Sequence, residues 1–283
     1  AFEQDHRRLD PDLRQALLRA SPRTLDRLLG ALRVQSLPRG GTRPGSLLRQ
    51  SIPIRGAWTE EGPGWLELDT VALCGGALDD RHAWMLDGVD IRTDWTEQRA
   101  SANRGAHCIL EQIRDVEESL PFPLRGIDSD NGGEFINHHL VRYLHNRPQP
   151  LCFTRSRSYK SNDNAHVEQR NYTHVRQQFG YERYDNPAVV PLINILCKGA
   201  LGWLLNHFLP TQKLQGKRRE GKRIIREYGA PVTPYARVLL SPEVPAEEKK
   251  RLQQLHSTLN PMALARQIEG EKKQIEACRK LGA

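Results

Sequence analysis

Residues 65–73 read Trp-Leu-Glu-Leu-Asp-Thr-Val-Ala-Leu. Apolar and polar side chains alternate here with the two-residue period of a strand, and Gly75-Gly76 closes the run. Asp69 lies inside that strand among Leu66, Leu68 and Val71, where a carboxylate is costly unless something compensates it. What compensates Asp69 decides how the rest of the chain is read.

Downstream, residues 82–92 and 94–100 read as two further strands, which makes an antiparallel meander. From Asn103 to Leu120 the spacing of Ile109, Ile113 and Val116 predicts a helix packed on that sheet. A short buried strand then runs into Gly-Ile-Asp-Ser-Asp-Asn-Gly-Gly-Glu-Phe, residues 126–135. A helix from about Glu134 to Asn146 follows, then a fifth strand at 151–155 and a polar loop, SRSYKSNDN. A long helix from about Asn164 to Gly180 carries Glu168, and another apolar helix occupies 188–209. The order βββαβαβα predicts an α/β fold with one mixed five-stranded sheet flanked by helices.

If the first and fourth strands are neighbours and the long helix crosses their ends, Asp69, Asp130 and Glu168 converge. Such a cluster repels itself without a cation, and oxygen ligands suit hard divalent ions. Two Mg²⁺ ions about 4 Å apart can activate an attacking oxygen and stabilise a leaving one in phosphoryl displacement. Asn131-Gly132-Gly133 can take positive φ and allow close backbone approach. Asp128 shares a strand face with Asp130 and is the reserve ligand, while Glu134 suits the next helix start through its dipole. An Asp-Asn-Gly stretch taken alone is mostly a turn.

The chain has 283 residues and a net charge of +8. Ten Arg against five acids in residues 1–50, and sixteen Lys or Arg against eight acids in 211–283, enclose an acidic middle. Basic flanks suit phosphates and the acidic centre suits a cation, as in a metal-dependent enzyme whose flanks hold nucleic acid. Residues 1–34 read as short helices resembling the end of a helix-turn-helix reader, with Ser21-Pro22 as an N-cap and first-turn proline. Residues 35–59 read as a basic Gly/Pro linker, 60–210 as the core and 211–283 as a basic, partly helical extension. The stretch 217–226 offers Lys217, Arg218, Arg219, Lys222 and Arg223 for DNA backbone contact. Five scattered cysteines form no Cys-x-x-Cys pair, so neither disulfides nor a cysteine zinc site is expected. No apolar run approaches the roughly 20 residues that cross a bilayer, which predicts a soluble, cytoplasmic chain. Because the chain opens on Ala1, a natural N-terminus upstream is expected.

The pattern WLELDT, then GIDSDNGGEFIN, then SYKSNDNAHVEQRN resembles the catalytic core of the retroviral-integrase-like transposases, the Asp-Asp-Glu recombinases with an RNase H-like fold. The resemblance covers roughly residues 60–210. It implies a polynucleotidyl transferase of the bacterial insertion-sequence type, with Asp69, Asp130 and Glu168 holding two Mg²⁺, Mn²⁺ substituting. It implies DNA backbone passing Arg155, Arg157, Lys160, Asn162, Asn164 and Arg170, with Asn131 shaping the turn and His166 in reserve for proton movement. Transposon ends and target DNA would be the substrates of a homo-oligomer. Two departures stand out: Asp94 where the family commonly has a small residue, and Ala165-His166 before Val167-Glu168. The family's viral members carry a His/Cys zinc module, for which this chain has no matching spacing, and no zinc is expected. A transposase-derived DNA-binding regulator and an RNase H-like nuclease without strand joining are the rival readings.

Overall fold

The computed structural model describes residues 10–21, 23–25, 29, 46–55, 62–76, 81–157, 170–220 and 223–281. Two compact units divide the chain, Ala1–Pro44 and Gly45–Ala283. In the first, helix α1 (Pro11–Arg19) begins where the Asp10 carboxylate accepts the Asp12 N–H at 2.9 Å. Ser21 caps the following turn as expected, its Oγ accepting the Thr24 N–H at 3.2 Å.

The second unit is built on a five-stranded sheet. Strands β1 (Trp65–Ala72), β2 (Trp84–Asp90) and β3 (Thr96–Ser101) form the antiparallel meander. Strands β4 (Gly126–Ser129) and β5 (Cys152–Arg155) add in parallel on the far side of β1, giving the order β3-β2-β1-β4-β5. The first and fourth strands are therefore neighbours. This is the mixed five-stranded α/β arrangement that the element order predicts.

Alternation along β1 sorts the core into two layers. Leu66, Leu68, Leu86, Ile127 and Phe153 belong to one buried cluster with α3 (Ala106–Ser119) and α4 (His138–His145). Val71, Met85 and Ala100 belong to a second, with helix α5 (171–179), α6 (Val189–His207) and α9 (Pro261–Lys280). Full burial of each Leu, Ile or Val contributes about 1.5–3 kcal/mol. On this second face the strand positions nearer the β1 start, Glu67 and Asp69, are acidic instead of apolar. That polar half of the face is where the candidate site lies.

Several expectations need correction. Residues 46–55 are not linker: helix α2 (Ser46–Ser51) leads into a segment that bridges β5, with Arg55 N–H donating to Arg155 O and Arg155 N–H to Pro53 O, each at 3.0 Å. Helix α4 begins at His138 and not at Glu134, because Asn137 is its N-cap and accepts the Leu140 N–H at 2.9 Å. The stretch after Pro210 contains a β-hairpin, β6 (Leu214–Glu220) and β7 (Arg223–Tyr228), then α7 (Pro234–Leu240) and α8 (Ala246–Thr258). Residues 211–283 belong to the same compact unit as the sheet. Helix α6, 19 residues, is long and apolar enough to cross a membrane by length and composition. It packs on the sheet instead, burying Val189, Ile193, Leu196, Leu201 and Leu205 under α9.

Helix α6 also closes the sheet's edge. Asn194 accepts the Ala100 N–H at 2.7 Å and donates to Ala100 O at 3.0 Å. Asn206 does the same for Thr96, both bonds at 2.9 Å. Two side-chain amides thus occupy the Thr96 and Ala100 backbone groups where a sixth strand would pair. Asn206→Ala strands a buried N–H and C=O on β3, each costing about 1–3 kcal/mol. Urea denaturation should show a loss of that order, and an unchanged midpoint would contradict this role.

Candidate active site

In the parallel pair β1–β4, Leu68 stands opposite Ser129. One residue further along both strands come Asp69 and Asp130, at the end where β4 stops. The sheet order thus makes the two positions neighbours across β1 and β4. On its other side Asp69 pairs with Asp87, which pairs with Gln98, so one polar row crosses three strands.

Each acid is held by local donors. Asp69 Oδ1 accepts the Thr70 N–H and Oδ2 accepts the Asn171 side-chain amide, both at 2.7 Å. The other end of that amide, Asn171 Oδ1, is buried and has no hydrogen-bond partner. Asp130 Oδ1 accepts the Gly132 N–H at 2.8 Å, an Asx turn that bends the chain off β4. Burial raises the Asp130 carboxyl above its ordinary range; Gly132 N–H opposes this, the Glu134 charge adds to it, and Arg104 and Arg49 oppose it.

Glu134 was expected at a helix start and serves elsewhere. At 9% exposure it turns back to the sheet, accepting Thr70 Oγ1 at 3.0 Å, with Arg104 Nη1 3.8 Å away. The glycine reading is corrected with it: Gly132 and Gly133 are not among the glycines with positive φ. A Cβ at Gly132 would meet the Glu134 carboxylate at 2.6 Å, so that carboxylate would have to move. Asp128, the reserve ligand, is 2% exposed and is bound by Thr154 Oγ1, with Arg55 Nε at 3.9 Å. It is engaged between strands and does not join the Asp69–Asp130 pair.

Asn131 ties the turn to β5, donating to Ser156 O at 2.9 Å and accepting Arg155 Nη1 at 3.1 Å. Arg155 also donates to Arg49 O and Ile52 O at 3.0 Å, and Arg170 lies 3.5 Å from Asp94. Both guanidinium groups, expected on DNA, are directed at protein oxygens. Arg157 is exposed beyond β5, and Arg218 and Arg219 are exposed on β6. Lys160, Asn162, Asn164, His166, Glu168 and Lys222 lie outside the described residues, as do the side chains of Lys217 and Arg223. Among the described residues no group of three or more His, Cys, Asp or Glu is arranged to hold a metal ion.

Sequence reasoning missed Asn171, Glu134 and Asp87. Asn171 stands three positions after Glu168 in the sequence, one helical turn along, which was the available signal. Asp87 carried none: it lies in an apolar strand, and only the register brings it beside Asp69. Burial raises its carboxyl to about 7, the Gln98 amide opposing and the Asp69 charge adding. Gln98 Nε2 donates to Asp87 Oδ1 at 3.0 Å and to Thr96 Oγ1 at 2.6 Å, and Thr96 Oγ1 meets His174 Nδ1 of α5 at 3.1 Å.

No protein-family model matches the chain. It is 37% identical over 247 residues to the uncharacterized protein y4rM of Sinorhizobium fredii (strain NBRC 101917 / NGR234), covering 82% of this chain and 67% of that protein. Among solved structures, it is similar to a chain of the simian T-cell lymphotropic virus intasome in complex with PP2A regulatory subunit B56 gamma: 14% identity, TM-score 0.44, 66% of this chain and 69% of that one. It is also similar to the catalytic core domain of BIV integrase, with 14% identity and TM-score 0.37 over 62% of this chain and 93% of that one. The HTLV-2 integrase catalytic core domain in complex with magnesium gives 12% identity and TM-score 0.38 over 53% and 90%.

Burial, then the Arg170 charge, lowers His174 to about 3, against an ordinary 6.5. The unfolded chain therefore takes up this proton first. The His174 contribution is complete above pH 6.5 and is lost as pH falls toward 3. His174→Gln keeps an acceptor for Thr96 but cannot charge. Urea titrations from pH 7 to pH 4 should show the wild type losing more stability than the variant; a constant gap would contradict the assignment.

Proposed function

The chain belongs to the family of the uncharacterized protein y4rM, and from that premise we propose that it is a DNA transposase of the bacterial insertion-sequence type, a polynucleotidyl transferase that cuts and joins strands. The observation that carries the reading is the side-by-side placement of Asp69 and Asp130 at the ends of neighbouring parallel strands. Two carboxylates so close gain nothing structurally from each other. They form a site that a hard cation completes.

The residues present fit Mg²⁺. All the donors at hand are oxygens: the two carboxylates and the buried, unpartnered Asn171 Oδ1. Asp69 and Asp130 would hold the cation, with Glu168 as the third acid of the sequence pattern and Mn²⁺ able to substitute. Bound there, it supplies charge neutralisation and Lewis-acid activation at a phosphodiester. The chain's own residues position the acids. Asn171 orients Asp69, the Gly132 N–H orients Asp130, and Thr70 with Arg104 holds Glu134 against the turn.

The chemistry is two successive in-line displacements. Hydrolysis at a transposon end frees a 3′-hydroxyl, and that hydroxyl displaces one bond of the target strand, so bonds broken and formed balance without a covalent enzyme intermediate. Two ends must be handled together, which calls for a homo-oligomer on DNA. Arg157 and the basic stretch after Pro210 contribute phosphate contacts.

Asp130→Asn keeps an acceptor for the Gly132 N–H and removes the charge. It should lower Mg²⁺-dependent nicking of supercoiled plasmid by roughly a hundredfold or more, and abolish joining of labelled ends, while DNA binding persists. A variant that still nicks would overturn the assignment of Asp130. Nicking without joined products in the wild type would favour a simple nuclease.

A further inference from the structure

The turn between β2 and β3 carries a buried acid, Asp94, at which groups from distant segments meet. Thr211 Oγ1 donates to it at 2.5 Å, with Arg237 Nη1 at 2.7 Å, Arg170 Nη2 at 3.5 Å and Lys213 Nζ at 3.7 Å. Among the described residues, three cations thus share this one carboxylate. Asp94 takes a positive φ of 61°, a conformation that Asp tolerates.

On one side these groups form the root of the β6–β7 hairpin, which has ties of its own. Arg237 Nη2 donates to Thr211 O at 2.6 Å, Thr211 and Val232 exchange backbone bonds at 3.0 and 3.1 Å, and Lys213 Nζ donates to Ile91 O at 2.6 Å. Arg170 belongs to the other side. It stands at the start of α5, two positions after Glu168 in the sequence and immediately before Asn171, whose amide donates to Asp69 Oδ2 at 2.7 Å. One turn further along α5, His174 Nδ1 meets Thr96 Oγ1 at 3.1 Å. Residues four apart share a helix face, so Arg170 and His174 together dock the start of α5 on the beginning of β3. Both line one cavity with Asp94, Thr96 and Thr211. The direction of the Asn171 amide follows the backbone that Arg170 anchors.

We propose that Asp94 is a positioning residue for the acidic site: its carboxylate anchors Arg170, which sets Asn171 and through it Asp69. This rests on the cation site proposed at Asp69 and Asp130, and adds a residue that acts on it from the β2–β3 turn. The small-to-Asp departure at position 94 then serves the reaction and not the hairpin alone.

The test is Mn²⁺ binding to the intact chain, read from the electron paramagnetic resonance signal of free Mn²⁺, with thermal denaturation confirming that each variant folds. Partners that orient a metal ligand contribute about 10–100-fold to metal affinity, so Asp94→Asn, which keeps an acceptor and tolerates the backbone conformation but loses the charge, should weaken binding about tenfold. Arg170→Gln should do the same, and the double variant should match either single one to within about twofold, because both changes break one contact. Thr211→Val, which removes a hairpin-root donor from the same carboxylate, should bind as the wild type does. Wild-type affinity in a folded Asp94→Asn or Arg170→Gln protein would overturn the positioning role and leave the Asp69–Asp130 site standing. So would an equal loss in Thr211→Val, or single effects that multiply to about a hundredfold in the double variant. A wild-type chain that binds no Mn²⁺ would overturn the cation site, and this role with it.

Discussion

Two carboxylates at the same level of adjacent parallel strands are the constraint around which this unit is organised. Parallel strands lie about 4.8 Å apart, so Asp69 and Asp130 are neighbours across β1 and β4. The protein supplies donors one at a time: the Thr70 N–H and Asn171 amide to one acid, the Gly132 N–H to the other. Arg49 and Arg104 add positive charge near Asp130, yet its carboxyl remains raised. The donors orient each acid separately. The proposed cation site depends on the sheet order, since any arrangement separating β1 from β4 would dissolve it.

Much of this was legible in the sequence, because each signal was local. Alternation in 65–73 marks β1, Asp69 violates that alternation's logic, and the Asp-Asn-Gly stretch marks where β4 ends. What escaped was set by register or by distant segments. Glu134 looks like a helix-start acid until Asn137 takes the capping role and Thr70, on another strand, claims the carboxylate. Arg155 and Arg170 look like DNA contacts because their charge is visible in sequence and their acceptors, Ile52 O and Asp94, are not. The stretch after Pro210 read as a basic, partly helical extension, although Arg218 and Glu227 pair across strands nine positions apart. Glu168 lies outside the described residues, and its role stays with the proposal.

The C-terminal segments are integral to the unit. Helix α9 covers α6, α6 satisfies the β3 edge through Asn194 and Asn206, and Asp94 joins the turn after β2 to the hairpin root. Asp94 binds several cations at once, and removing it would leave their buried charge uncompensated. Through Arg170 and Asn171 the same network reaches Asp69. The Asp94 cluster and Asp69 are thus joined through the chain link from Arg170 to Asn171.

The most direct measurement is anomalous diffraction from crystals grown with Mn²⁺, at a wavelength where manganese scatters. The account predicts an anomalous peak in contact with carboxylate oxygens of both Asp69 and Asp130, lost in the Asp130→Asn protein. A well-ordered pair of carboxylates with no peak between them, or manganese bound elsewhere with this pair unchanged, would contradict it.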